Sequence, residues 1–436
     1  MPKPSDLATV TPFAEPVWHS RGNRLYYESS HERLRKAVRA YVDIEITPNC
    51  AEWEAQGYVP KEVLEEHSRR GYTAATINPA KVSSYLGDLK LPGGIEPQKW
   101  DSFHDLICID EIARCGYLGV IWALGCGDSI GCPPVLHFGS ETQKRSWLPS
   151  VIMGKSRFCL GVTEPDAGSD VANITTIAER RGDVYVVNGA KKWITNGMWA
   201  NYCTAAVRTG GPGKNGISAL VIPLDSKGVT RRKIVNSGVA ASGSAYLDFD
   251  DVEVPIQNLL GDENKGFKII MSNFNHERLW LACTSLRLSH VCLADAYSHA
   301  LQRSTFGKRL IEHQAIKTKF SILGARILPA HAFMESLVAL HNEGRESEPQ
   351  YGGLIALLKV VAGQTLEKSV REAQQIMGGL GYSRTGKGAR IEQISRDVRV
   401  MVVGGGSEEI LNDLAFVQEK KDLEDIARRK SASSKL

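Results

Sequence analysis

Apolar residues recur at helical spacing through most of the first 155 positions. HERLRKAVRAYVDIEITP predicts a helix over 29–48, ending at Pro48. A second helix fits 60–70, ahead of Gly71, and a third fits DSFHDLICIDEIARCG. GSETQKRSWLPSVIMGK adds another helical stretch, and a loop with Gly and Pro around 86–97 interrupts the region. The texture changes near Arg157. Short runs rich in β-branched and aromatic residues follow (FCLGVTE, ITTIAE, DVYVVNG, YCTAAVR, ISALVIP, RRKIV and SAYLDFDDVEV), punctuated by Gly, Asn and Asp. They predict a compact antiparallel β domain ending near Gly261. From Gly266 the pattern is helical again, over 267–302, 311–341 and 351–377, with a shorter helix after Ser407; these predict an antiparallel bundle. The fold class is α+β and multidomain. The expected parts are an arm at 1–28, a helical domain at 29–156, a β domain at 157–265, a helix bundle at 266–425 and a tail at 426–436.

The length of 436 residues agrees, being room for about three domains of roughly 150 residues. The 53 basic and 49 acidic residues leave a net charge of +4, too balanced for the concentrated basic face of a nucleic-acid binder. The nine cysteines are scattered, odd in number and without CxxC spacing. Neither a disulfide framework nor a metal site is expected, and a reducing compartment fits better. Prolines in MPKPSDLATVTPFAEP occupy the place where a signal peptide needs an apolar run. No run of 18 apolar residues appears, so no membrane span is expected. The last residues, Ser434-Lys435-Leu436, form a tripeptide that the peroxisomal import receptor reads as an address, carried on the polar tail RRKSASSKL. The peroxisome is therefore the expected location.

Five segments carry a resemblance. GVTEPDAGSDVANITTIAER at 161–180 and NGAKKWITNG at 188–197 are the most specific. RSTFGKRLIEHQAIK at 303–317, QIMGGLGYSR at 375–384 and RDVRVMVVGGGSEEI at 396–410 follow. In that order and spacing, over about residues 29–420, the chain resembles the acyl-CoA dehydrogenase family. The resemblance implies an N-terminal helical domain, a β domain and a C-terminal four-helix bundle, with FAD held between the last two. It also implies subunits assembled as homotetramers, or dimers at the least, each flavin lying at a subunit interface. By resemblance, Val162, Thr163 and Ser169 lie along the flavin and the thioester, and Trp193, Ile194 and Thr195 flank the isoalloxazine. The polar turn TEPDAGSD after a β run is a place where amides and hydroxyls are presented, although an isolated WITNG is more often an ordinary loop. Arg303 matches a pyrophosphate contact, suited by its planar fork of donors, and Phe306 matches a ring near the cofactor. Gln314, Gln375, Gly378 and Gly379 match cofactor positions. The glycines there allow close backbone approach, whereas GGLG alone reads as a helix end. Ser407 and Glu409 match positions where relatives often carry Thr and Gln.

The base departs from the commonest pattern of that family. Many members carry Tyr-Glu-Gly-Thr with the Glu as base, and this chain reads Gly404-Gly405-Gly406-Ser407. Gly405 stands at the base position and cannot take a proton. In FNHERLWLA, however, Glu277 precedes Arg278. Isovaleryl-CoA and long-chain members place their base at that alternative position, and Arg278 matches a substrate contact. The helical neighbours of Glu277 are Asn273, Phe274, Trp280 and Leu281, none of them basic. Apolar surroundings raise a carboxylate's pKa toward the range a base needs near neutrality, while a surface Glu paired from elsewhere is the plain alternative. The implied reaction is α,β-dehydrogenation of an acyl-CoA thioester in fatty-acid or specialised acyl metabolism. Glu277 takes the α-proton, the β-hydrogen leaves as hydride, and the Gly405 N–H bonds the thioester oxygen. The electron acceptor, a carrier flavoprotein or O2, stays open. An acyl-CoA oxidase and a non-catalytic flavin- or CoA-binding protein are the competing expectations.

Overall fold

The computed structural model describes residues 11–19, 25–345 and 348–433. The tripeptide 434–436 lies outside these. The longer helices are α1 (Ser29–Tyr41), α2 (Cys50–Gln56), α3 (Lys61–Arg69), α4 (Ser102–Ala113), α5 (Leu118–Gly131), α6 (Glu141–Ile152), α7 (Gly266–Ser272), α8 (Phe274–Gln302), α9 (Gln314–Asn342), α10 (Pro349–Met377), α11 (Ala389–Val403) and α12 (Glu408–Ser433). One sheet holds β1 (Phe158–Gly161), β2 (Ile177–Arg181), β3 (Val184–Ile194), β4 (Tyr202–Arg208), β5 (Ile217–Pro223), β6 (Val229–Lys233), β7 (Ala245–Pro255) and β8 (Leu259–Leu260). A separate hairpin holds β9 (Ser304–Thr305) and β10 (Lys308–Arg309). The helical, β, helical order is the one the sequence pattern predicts.

The chain divides into two compact units, and the first comprises Lys36–Trp100 and Tyr117–Glu277. Its sheet runs β6-β7-β3-β2-β4-β5-β8. Most pairings are antiparallel, as expected, but β1 joins β4 in parallel and β2 meets β4 in parallel at Ile177 and Arg208. Strands β4 and β5 are buried along almost their whole length, whereas β7 largely alternates buried and exposed positions. Tyr185, Val187, Leu220, Ile222, Leu247 and Phe249 lie in the resulting core. Helix α5 was not apparent in the sequence pattern. It is mostly apolar and buried through nearly its whole length, its Asp128 and Ser129 included, so it shows no polar stripe. A Cβ at Gly127 would lie 2.5 Å from the Phe158 carbonyl oxygen, and one at Gly131 would lie 2.8 Å from that of Cys159. Two glycines thus let the helix rest on the β1 backbone.

The second unit comprises Met1–Arg35, Asp101–Gly116 and Arg278–Leu436. Its helices include α4 and most of α8 to α12. The buried Arg287 of α8 bonds Asp110 of α4 through Nε at 2.9 Å and Glu15 of the arm through Nη1 at 2.9 Å. Arg114 reaches the other Glu15 oxygen at 2.8 Å. The segment 11–19, part of the expected arm, is thereby fixed by ion pairs.

Two expectations about helix extent change. The helix expected over 267–302 is broken at Asn273, which caps α7 and sends its side-chain amide to the Ile130 carbonyl at 3.2 Å. The helix after Ser407 is 26 residues long rather than short, and it follows a 15-residue α11 that the motif reading did not resolve. Among the described residues, Leu118–Phe138 and Gln314–Asn342 are long and apolar enough to cross a membrane by length and composition. In the first, 89% of the apolar window is buried inside the protein, as in a core helix.

Candidate active site

In the β unit, the loop after β1 is held by a buried carboxylate. Glu164 accepts from the Thr175 amide at 2.5 Å, the Thr175 hydroxyl at 2.9 Å, the Thr176 amide at 3.0 Å and Lys191 Nζ at 2.7 Å. Burial pushes its pKa up, but the Lys191 ammonium and the threonine bonds outweigh that and hold it below the ordinary carboxylate range. Lys191 is fully buried and also donates to the Val162 carbonyl at 3.1 Å. The Lys192 amide donates to the Thr163 carbonyl at 2.8 Å. Val162 and Thr163 are therefore fastened along the residues that lead into Trp193. Neither Glu164 nor Lys191 was singled out from the sequence. The signal available was a charged residue inside each of the two most specific motifs.

Strand β3 shifts register between Lys191 and Ile194. At this irregularity Trp193 adopts φ +64°, a left-handed conformation that costs a residue with a Cβ roughly 1–2 kcal/mol. Its indole is 54% exposed, while Ile194 is buried and Thr195 half-buried. Asn196 then bridges the Gly127 amide and the Trp122 and Ser242 carbonyls, which locks the turn. Ser169 is exposed on the loop between β1 and β2.

In the helical unit, Phe306 and Gly307 form the tip of the β9–β10 hairpin. Phe306 also has a positive φ, +50°, and is 98% exposed. Arg303 is exposed and its carbonyl accepts from the Leu310 amide at 2.7 Å; Gln314 opens α9 and is exposed. Gln375 and Gly378 line a groove of about 290 Å³ with Arg371, Gln374, Gly381 and Tyr382. A Cβ at Gly378 or Gly379 would meet nothing within 4 Å. Arg371 and Tyr382 were not foreseen: Arg371 precedes the 375–384 motif, and Tyr382 stands in a motif read for its glutamine and glycines.

Helix α11 ends in the glycine run. The Gly404 amide closes on the Val400 carbonyl at 2.8 Å, and Gly405 and Gly406 follow with φ +69° and +110°. Arg278 Nε donates to the Gly405 carbonyl at 3.0 Å. The buried Lys359 of α10 donates through Nζ to the Val402 carbonyl at 2.5 Å and the Gly406 carbonyl at 2.9 Å. Ser407 starts α12, and its carbonyl accepts from the Leu411 amide. The exposed Glu409 is held below the usual carboxylate range by its own backbone N–H and by Ser407, so its charge is matched at the helix start.

Glu277 is half-buried in the first turn of α8. The break at Asn273 puts it there, and the Glu277 amide donates to the Asn273 carbonyl at 3.2 Å. The expected place was inside one helix running from 267, and not in a first turn. Burial pushes the Cys126 thiol up, and the Glu277 and Asp128 carboxylates add to this, so Glu277 lies within electrostatic reach of α5.

Taken separately, each unit presents features compatible with contact to a large planar cofactor. Two aromatic rings, Trp193 and Phe306, are held at positive φ and turned outward, and Gly378 and Gly379 have open space about them. The chain matches the acyl-CoA dehydrogenase N-terminal domain over residues 28–155, the middle domain over 159–252 and the C-terminal domain over 264–416. It is 54% identical to acyl-CoA dehydrogenase AFT10-1 of Alternaria alternata, over 96% of this chain and 98% of that protein. It is 39% identical to acyl-CoA dehydrogenase apdG of Emericella nidulans, over 95% and 96%. A solved structure of a probable acyl-CoA dehydrogenase from Mycobacterium abscessus superposes with a TM-score of 0.80 at 34% identity, covering 90% of this chain and 99% of that one. The chain belongs to the acyl-CoA dehydrogenase family. It is an FAD-dependent oxidoreductase of acyl-CoA dehydrogenation.

Proposed function

We propose that Glu277 takes the α-proton of an acyl-CoA thioester while Gly405 offers its backbone N–H to the thioester oxygen. The observation that carries this reading is at the glycine run. Gly405 has no side chain to act as a base and sits at φ +69°. Its carbonyl is held at 3.0 Å by Arg278, the residue next to Glu277 in the chain. The α C–H electron pair becomes the new C=C bond, and the proton ends on the Glu277 carboxylate. FAD, when bound, supplies the acceptor for the hydride that leaves the β-carbon. Charge develops on the thioester oxygen as the proton leaves, so a fixed N–H there lowers the barrier. Val162, Thr163, Ser169 and the 193–195 turn would hold the flavin from the β unit. Arg303, Phe306, Gln314, Gln375, Gly378, Gly379, Ser407 and Glu409 would hold it from the helical unit. Ser169 and Arg278 would also touch substrate.

The natural acceptor of the electrons is, in this reading, a carrier flavoprotein. The exposed Phe306 and the basic hairpin around it support assembly as a homotetramer, in which they would meet a second copy. The terminal Ser434-Lys435-Leu436 supports import into peroxisomes. The experiment is an anaerobic screen of straight, branched and aromatic CoA thioesters against the yellow holoprotein, followed by flavin bleaching. Bleaching by at least one class is expected. A folded protein that takes up no FAD, or one that no thioester bleaches, would overturn the reading. Light scattering tests the tetramer, and imaging with and without residues 434–436 tests the address.

A further inference from the structure

The glycine run 404–406 is the most flexible sequence the backbone offers, yet the proposed chemistry needs one of its amides aimed within tenths of an ångström. It also follows directly on the C-terminal end of α11. The last carbonyls of a helix carry about half a negative charge, the wrong sign beside an oxygen that is to become negative. The buried Lys359 answers both problems. Its ammonium takes the Val402 carbonyl in the last turn of α11, at 2.5 Å, and the Gly406 carbonyl at the end of the run, at 2.9 Å. The Gly404 amide is tied to Val400 and the Gly405 carbonyl to Arg278. The peptide plane that carries the Gly405 N–H is therefore flanked on both sides by tethered planes.

We infer that Lys359 is a positioning residue for the oxyanion site: it clamps both ends of the glycine run and offsets the negative end of α11, so that the Gly405 N–H meets the thioester oxygen. This rests on the proposed role of Gly405. A purely structural role, capping α11, makes a different forecast. It predicts that replacement costs thermal stability and leaves proton chemistry untouched in whatever protein remains folded.

The test uses FAD-loaded parent, Lys359→Gln and Lys359→Met, with a 3-thia-acyl-CoA, in which sulfur replaces the β-carbon. This probe can lose an α-proton but no hydride. Exchange of its α-hydrogens with deuterated solvent reports enolisation alone. Removing a direct oxyanion donor costs about 100–1,000-fold, so an indirect change here should slow exchange by about 10–100-fold. The Kd of the probe should change by less than about threefold. Amide hydrogen exchange over 402–408 in the cofactor-free protein should rise in both variants. Equal α-exchange in parent and folded variants would overturn the inference, as would failure of both variants to fold, which makes Lys359 structural. If the parent itself exchanges no α-hydrogen, the proposed function fails instead. If Glu277→Gln abolishes exchange while the Lys359 variants match the parent, only this inference fails.

Discussion

Replacing Lys191 with Met tests whether the loop at 162–164 is held by a buried ion pair. Lys191 and Glu164 side chains are 0% and 2% exposed and meet at 2.7 Å. Met keeps most of the volume and removes the charge. The carboxylate left behind still accepts from the Thr175 amide and hydroxyl and the Thr176 amide. Breaking a buried pair costs about 3–5 kcal/mol, and these remaining bonds set the expectation at the lower end, about 3 kcal/mol. At roughly 2–4 °C per kcal/mol for a unit of this size, Tm should fall by about 6–12 °C. Val162 also loses its tether, so FAD should dissociate faster. The assay is a thermal scan beside release of flavin fluorescence, repeated in Glu164→Gln and in the double variant. The double variant should recover part of the loss, because neutralising Glu164 removes the uncompensated charge. A fall in Tm under 2 °C, or losses that simply add, would refute the reasoning.

Two further outcomes follow. Gly405→Ala should destabilise by about 1 kcal/mol, since φ +69° suits only glycine without strain, and should slow flavin reduction more than it lowers Tm; paired melting and stopped-flow data check this. His67 and His290 are pushed down to about 3 in the folded chain by burial, against 6.5 for an open imidazole. Between those values the unfolded chain binds more protons, so stability should fall as pH drops from 6.5 toward 3. Each histidine contributes on the order of 1.4 kcal/mol per pH unit. Urea titrations across that range should show the slope, and His67→Phe should flatten it.

The order of helical and β regions was legible in the sequence because it rests on periodicity. So were β1 to β7 of the sheet, since β-branched runs between Gly, Asn and Asp leave few alternatives, whereas the two-residue β8 was too short to show. Helix α5 was not legible, because a helix buried all round has no polar stripe to reveal it. The break at Asn273 was hidden for another reason. A lone asparagine is common enough inside helices to give no clear stop signal, and its side-chain bond to the Ile130 carbonyl is long-range. At the site, the motifs marked the segments but not their supports. Glu164, Lys191 and Lys359 act through buried bonds to backbone whose partners lie 11 to 47 positions away. Arg278 was read as a substrate contact, and its bond to the Gly405 carbonyl, 127 positions on, had no local signal.

The central claim is that Glu277 is the base. Glu277→Gln changes neither shape nor volume appreciably, so fold, bound FAD and acyl-CoA affinity should persist. Proton removal should not, because a neutral amide is a poor base. Gly405→Glu combined with Glu277→Gly should return part of the rate, limited by the left-handed backbone at Gly405. The decisive measurement is anaerobic stopped-flow reduction of the flavin in Glu277→Gln by the best thioester found. The account predicts a rate at least about 100-fold below the parent. A rate equal to the parent would make Glu277 a structural residue and contradict the account.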